Sequence, residues 1–281
     1  MAKAQSGAVA IEYETFGDAR NEAVLLINGL GSQMTRWPQA FCALLVDKGL
    51  FAIRFDNRDV GLSTWLTDGD KYSVTDMAGD AAAVLDAVGK PAAHIVGVSM
   101  GGMIAQEFAA TYPERTLSLT SIMSNTGNPD LPPATAAAME ALNARPSNPS
   151  DDNFIEDTVK RALVIGSPAY PWPEGALAAR ARAEADRAFN PPGVARQMAA
   201  IRASGDRRAK LANVTAPTLV LHGSDDPLVP VAGGRDTAAN IKGAELRVIP
   251  GMGHDLPPAL YATFVETIER AVARARERTP A

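Results

Sequence analysis

Short, unbroken apolar runs alternate along the chain with longer stretches whose apolar residues recur at helical spacing. Val24-Leu25-Leu26-Ile27, Phe51-Ala52-Ile53-Arg54-Phe55, His94-Ile95-Val96-Gly97-Val98 and Thr218-Leu219-Val220-Leu221 are continuous rather than alternating. That pattern predicts strands buried on both faces, as in a parallel sheet covered by helices. Residues 116–123 and 245–249 are further strand candidates, and helices are expected near 37–48, 73–89, 101–112, 232–241 and 256–277. The alternation of strand and helix points to an α/β fold with a mostly parallel central sheet flanked by helices.

One interval breaks this rhythm. Ninety-three residues separate Ser124 from Thr218. A parallel crossover needs only a dozen or so, and a structureless loop of that length is implausible. Proline-rich breaks at Pro132-Pro133 and Pro191-Pro192 alternate there with helix formers such as Ala176-Leu177-Ala178-Ala179-Arg180-Ala181. We read residues 126–205 as a helical cap inserted in a core made of residues 1–125 and 206–281. On the alanine-rich helix, Arg180, Arg182 and Arg187 stand among Glu184 and Asp186 and read as a solvated face. A pocket under such a cap is expected to prefer an uncharged acyl group.

The remaining bulk properties narrow the function. With 46% hydrophobic and 21% charged residues the chain has the composition of a globular protein. A net charge of -5 disfavours nucleic-acid and anionic-membrane partners, which need a basic face. No apolar run approaches the length of a membrane span and no signal-peptide pattern is seen, so a cytoplasmic location is expected. The single cysteine, Cys42, lies in an apolar stretch and reads as a core thiol. Three scattered histidines make no metal site, and no glycine-rich nucleotide loop is present, so no cofactor is expected.

The chemistry centres on Gly97-Val98-Ser99-Met100-Gly101-Gly102, which follows a predicted strand and opens a predicted helix. That context is the one a nucleophile elbow requires: the tight turn leaves the Ser99 hydroxyl exposed beside a helix N-terminus. A serine needs a base. Of the histidines, His94 begins the strand that leads to Ser99 and His222 ends another. His254 lies in a loop after the last strand, where open α/β sheets place their sites. The base needs an orienting carboxylate, and Asp225 and Asp226 compete for that role. Pro227 biases Asp226 toward an extended backbone, suited to reaching out of a loop.

With these residues the chain resembles the α/β-hydrolase superfamily over essentially its whole length. The acid loop of that family, Gly-x-x-Asp-x-x-x-Pro, matches Gly223, Asp226 and Pro230, which favours Asp226. Its Asp-x-Arg-x-x-Gly-x-Ser stretch matches Asp56, Arg58, Gly61 and Ser63, and implies structural support rather than catalysis. Together with Gly-Met-Gly-His-x-Leu-Pro at 251–257, that stretch is similar to the aclacinomycin methylesterase branch, whose members cleave a methyl ester. The resemblance implies an oxyanion hole built from two backbone amides, Met100 and Leu30. Many family members carry His-Gly where this chain has Asn28-Gly29, a departure that leaves the backbone donor intact.

The expected function is hydrolysis of a small to medium carboxylic ester through a Ser99 acyl-enzyme, with a small-molecule ester or lactone as partner. The same triad can serve a lactonase, a C–C bond hydrolase or an acyltransferase, and a non-catalytic ligand receptor is a reading of another class. A dehalogenase would need aspartate at position 99. For pocket walls, Met34, Trp37, Met103, Phe154, Tyr170 and Trp172 are the candidates, with ordinary core packing as the alternative for each.

Overall fold

A central sheet organises the computed structural model, which describes residues 2–67, 69–144 and 147–278. Among these residues it has eight strands: β1 (Ala2–Ser6), β2 (Val9–Phe16), β3 (Ala23–Ile27), β4 (Phe51–Phe55), β5 (Ala93–Val98), β6 (Thr116–Ile122), β7 (Thr218–Gly223) and β8 (Glu245–Ile249). Their order is β1-β2-β4-β3-β5-β6-β7-β8. From β4 to β8 all neighbours are parallel, whereas β1–β2 and β2–β4 are antiparallel.

The parallel strands are buried on both faces, and the side-chain alternation of a strand assigns each residue to one of two cores. Leu25, Ile27, Ile53 and Ile95 pack with helices α2 (Val74–Ala87) and α3 (Met100–Thr111). Val24, Leu26, Ala52, Val96 and Leu221 pack on the other face with α1 (Gln39–Asp47) and the C-terminal helix, Tyr261–Arg278. Cys42 lies in this second core, where burial pushes its thiol up to about 12 and leaves it inert.

The apolar pattern predicts no strand before residue 24, and the structure adds the β1–β2 hairpin there. Gly7, at φ 57°, makes its two-residue turn between the paired Ser6 and Val9. Glu12 and Glu14 interrupt the apolar pattern of β2. Glu14 is opposite Arg54 of β4 and accepts two bonds from its guanidinium, at 3.0 and 2.5 Å.

Between β6 and β7 run α4 (Ala136–Asn143), α5 (Phe154–Ile165), α6 (Ala176–Arg187), α7 (Pro191–Ser204) and the short α8 (Arg208–Leu211). The two ends of this segment lie side by side: the Arg207 amide donates to the Thr126 carbonyl at 2.8 Å. After β7 come α9 (Ala232–Asn240), β8 and α10 (Tyr261–Arg278). Among the described residues no helix is long and apolar enough to cross a membrane.

Candidate active site

Ser99 sits between β5 and α3 with φ 57° and ψ -121°, a backbone conformation that costs a non-glycine residue energy. The flanking glycines make the turn possible by their lack of a Cβ. One at Gly97 would stand 2.0 Å from the Gly101 carbonyl oxygen, and one at Gly101 only 2.2 Å from that of Ile27. The start of α3 is thereby pressed against the ends of β3 and β5, and Ser99 is lifted out at the carboxyl edge of the sheet. The loop after β3 passes directly over it: a Cβ at Gly29 would lie 3.2 Å from that of Ser99.

The loops after β7 and β8 bring two further groups to this edge. His254 Nε2 is 2.9 Å from Ser99 Oγ, and His254 Nδ1 is 2.7 Å from Asp226 Oδ2. The other oxygen of Asp226 accepts from the Leu228 and Val229 amides at 2.9 and 2.8 Å, which fixes the carboxylate. Asp226 is 5% exposed whereas Asp225 faces solvent, so the structure separates the two competing aspartates. The glycines of Gly251-Met252-Gly253-His254 are again steric. A Cβ at Gly253 would be 2.3 Å from the Gly166 carbonyl oxygen, and the His254 amide donates to the Ile165 carbonyl at 2.7 Å. The C-terminal end of α5 therefore holds the histidine loop in place.

The other histidines serve elsewhere. His94 is buried at the far end of β5 beside the Ser118 hydroxyl, 2.8 Å away, and burial lowers its pKa to about 4. His222 is buried behind Asp226, with Nε2 2.7 Å from the Val229 carbonyl oxygen and 3.6 Å from Asp226 Oδ2. Burial lowers its pKa, keeping it a neutral donor that braces the loop of Asp226.

The stretch from Asp56 to Ser63 and the loop at 28–34 are where the β6–β7 helices attach. Arg187 of α6 makes an ion pair with the buried Asp56 at 2.7 Å, off hydrogen-bond angle, and donates to Gln33 Oε1 at 2.7 Å. Gln33 in turn donates to the Glu184 and Ala188 carbonyls. Gln197 of α7, fully buried, accepts from the Gly31 amide and donates to the Arg58 carbonyl, both at 2.8 Å. These contacts correct the reading of α6 as a solvated face. Arg182 and Asp186 are exposed as expected, but Arg187 is tied to the core, and Glu184 accepts two bonds from Arg36, at 2.5 and 2.8 Å. Neither Gln33 nor Gln197 was singled out from sequence, where a lone glutamine carries no signal.

Arg196 of α7 makes the same kind of attachment, with two bonds of 2.9 and 2.8 Å to Asp59. Burial raises the Asp59 pKa, but the Arg196 guanidinium and the Leu66 amide outweigh it and hold the carboxyl below its ordinary value. Arg196→Met is expected to cost about 3 kcal/mol, because it strands a buried carboxylate. With the pKa lower in the folded state, unfolding takes up a proton. The difference between wild type and variant should be full above the ordinary aspartate pKa and shrink as pH falls through the folded value. Urea midpoints measured across the acidic range check this.

A cavity of about 770 Å³ opens over Ser99 and His254, bounded by the loop 28–33 and by α4 to α7. Of the six expected wall residues only Phe154 and Trp172 line it. Met34, Trp37 and Met103 are core residues, and Tyr170 packs on the second core. Arg36, Arg161, Arg180 and Arg202 also line the cavity.

A model of the alpha/beta hydrolase fold matches residues 22–257. The chain belongs to the alpha/beta hydrolase fold family. Among curated relatives of this hydrolase, a Variovorax paradoxus protein with the provisional name carbamate hydrolase RutD is 33% identical, covering 94% of this chain and 96% of the relative. Rhodomycin D methylesterase DauP of a Streptomyces strain is 30% identical, covering 92% of this chain and 94% of the relative. That second relative bears out the resemblance to the methylesterase branch. The solved meta-cleavage product hydrolase CumD of Pseudomonas fluorescens superposes with a TM-score of 0.79 at 21% identity, covering 98% of both chains, and shares the fold.

Proposed function

We propose that the protein is a serine hydrolase that cleaves carboxylic esters, and by the same chemistry lactones, through an acyl-enzyme on Ser99. The observation that carries this reading is the continuous hydrogen-bonded chain Ser99–His254–Asp226, with both links under 3 Å, at the floor of a cavity. Relatives named for cleaving a methyl ester and a carbamate support it, since both substrates present a carbonyl bearing a heteroatom leaving group.

In the first step His254 Nε2 takes the Ser99 proton while Oγ adds to the ester carbonyl. The negative charge that develops on the carbonyl oxygen needs donors already in place. The Met100 amide is in the first turn of α3, where no intrahelical acceptor exists. The Leu30 amide has no acceptor among the described residues. We assign these two as the oxyanion hole. Asp226 holds His254 in the tautomer with its proton on Nδ1 and stabilises the imidazolium. His254 then protonates the leaving alcohol, and a water that it deprotonates releases the acid. Residues 126–205 serve as a cap: Thr126 at its start is bonded to Arg207 just past its end, so both ends meet at the core, and its helices roof the cavity.

The test is steady-state hydrolysis of p-nitrophenyl butyrate and of a simple methyl ester. Multiple turnovers in water that vanish in Ser99→Ala support the reading. Turnover retained by that variant contradicts it.

The cap also sets the Leu30 donor, because Gln197 fixes the adjoining Gly31 amide. Gln197→Leu is expected to lower kcat about tenfold with KM little changed, as a displaced oxyanion donor acts on the transition state alone. A change confined to KM would show that Gln197 only holds α7 against the loop at 28–33.

A further inference from the structure

α6 presents one cation, Arg180, to the cavity with no carboxylate at ion-pair distance among the described residues. The Arg180 guanidinium carbon lies 4.4 Å from the centre of the Trp172 ring. That ring is itself fixed: its indole N–H donates to Asp255 Oδ2 at 2.7 Å, and the other oxygen of Asp255 accepts from the Ser167 hydroxyl. Asp255 follows His254 in the chain. The stacked pair of Trp172 and Arg180 is therefore anchored to the residue beside the proposed catalytic base, on the wall of the same cavity.

The charged groups around Arg180 and on the cavity wall have partners of their own or face solvent. Arg36 is clamped by Glu184, Arg187 by Asp56 and Gln33, and Asp255 by Ser167 and Trp172. Arg161 donates to the Thr158 hydroxyl, and Arg202 is exposed. Arg180 makes no ion pair or hydrogen bond with any described residue. Burial lowers its pKa to about 10, and repulsion from Arg36 adds to that; Glu184, Asp255 and Tyr261 offset the two only in part. A desolvated guanidinium with five donors and no acceptor among the described residues, set over an aromatic face, is an arrangement completed by an anionic oxygen group.

We infer that Arg180 is a specificity-determining residue that receives a carboxylate on the substrate, remote from the scissile ester. This rests on the hydrolase reading and names the substrate class for it: half-esters, in which one acid group is esterified and another is free. It reverses the expectation of an uncharged acyl group, which followed from reading Arg180 as solvated.

The experiment compares monomethyl glutarate and monomethyl adipate with the dimethyl esters of the same acids. The readout is the ratio of kcat/KM, half-ester over diester. In wild type it is expected to be about tenfold or more, the order supplied by one charge-assisted contact. In Arg180→Gln it should fall to near one, mainly through KM, and Arg180→Lys should restore part of it. Calorimetric binding of the same four compounds to the Ser99→Ala protein, with and without Arg180→Gln, reads the same preference without turnover. A wild-type ratio at or below one, or a preference unchanged by Arg180→Gln, overturns the inference, whatever becomes of the hydrolase reading. Half-ester binding that depends on Arg180 in a protein whose ester turnover survives loss of Ser99 supports the inference while removing the Ser99 mechanism.

Discussion

His254→Ala is expected to lower kcat for p-nitrophenyl butyrate by about 10⁶, the order seen when the base of a serine protease triad is removed. The size follows from the role of the ring in both half-reactions. Without it the Ser99 hydroxyl stays protonated and is a weak nucleophile, and the attacking water has no proton acceptor. No other base stands in reserve: His222 lies behind Asp226 and bonds the Val229 carbonyl, and His94 is at the opposite end of β5. The fold should survive, because His254 sits in a loop held mainly through its backbone, by the Ile165 carbonyl. Near-wild-type circular dichroism and urea midpoint with kcat reduced by less than tenfold would contradict the role assigned to it.

Asp226→Asn is expected to lose about 10⁴ in kcat, because an amide can donate toward His254 Nδ1 and favour the wrong tautomer. The Leu228 and Val229 amides would still find an acceptor in the side-chain oxygen, so the loop should remain ordered. Asp225→Asn should stay within about twofold of wild type, since that side chain is exposed and, among the described residues, accepts only from the adjacent Ser224 hydroxyl. Steady-state kinetics on both variants check the ranking. The reverse order would mean that the geometry seen at Asp226 is not the one used in turnover.

The elements that were legible in the sequence are those whose physics is local. A strand buried on both faces must be mainly apolar without alternation, and β3, β4, β5 and β7 are, with Arg54, His94 and His222 as buried, partnered exceptions. A backbone that passes within 2.0–2.3 Å of where a Cβ would stand must be glycine, which is why Gly97, Gly101 and Gly253 mark Ser99 and His254. In the sequence Asp226 is favoured over Asp225 by Pro227 and by the family's acid-loop pattern, and in the structure it is Asp226 that is buried beside His254. What escaped was set by partners distant in the chain. Arg196 finds Asp59 137 residues away, Gln197 finds the Gly31 amide 166 away, and Arg36 finds Glu184 148 away. On α6 the charges fall at spacings that suit a solvated helix, and nothing nearby reveals that Arg180 faces a cavity and Arg187 a buried aspartate. The β1–β2 hairpin escaped for a related reason: Glu14 is tolerated in β2 because Arg54 lies opposite it across the sheet.

The central claim is that Ser99 forms the acyl-enzyme, and covalent labelling tests it most directly. A fluorophosphonate should add one adduct per chain, with loss of esterase activity in step with labelling, and peptide mass mapping should place the adduct on Ser99. Ser99→Ala should take up no label. An adduct on any other residue, or full ester turnover by a protein fully labelled at Ser99, would contradict the account.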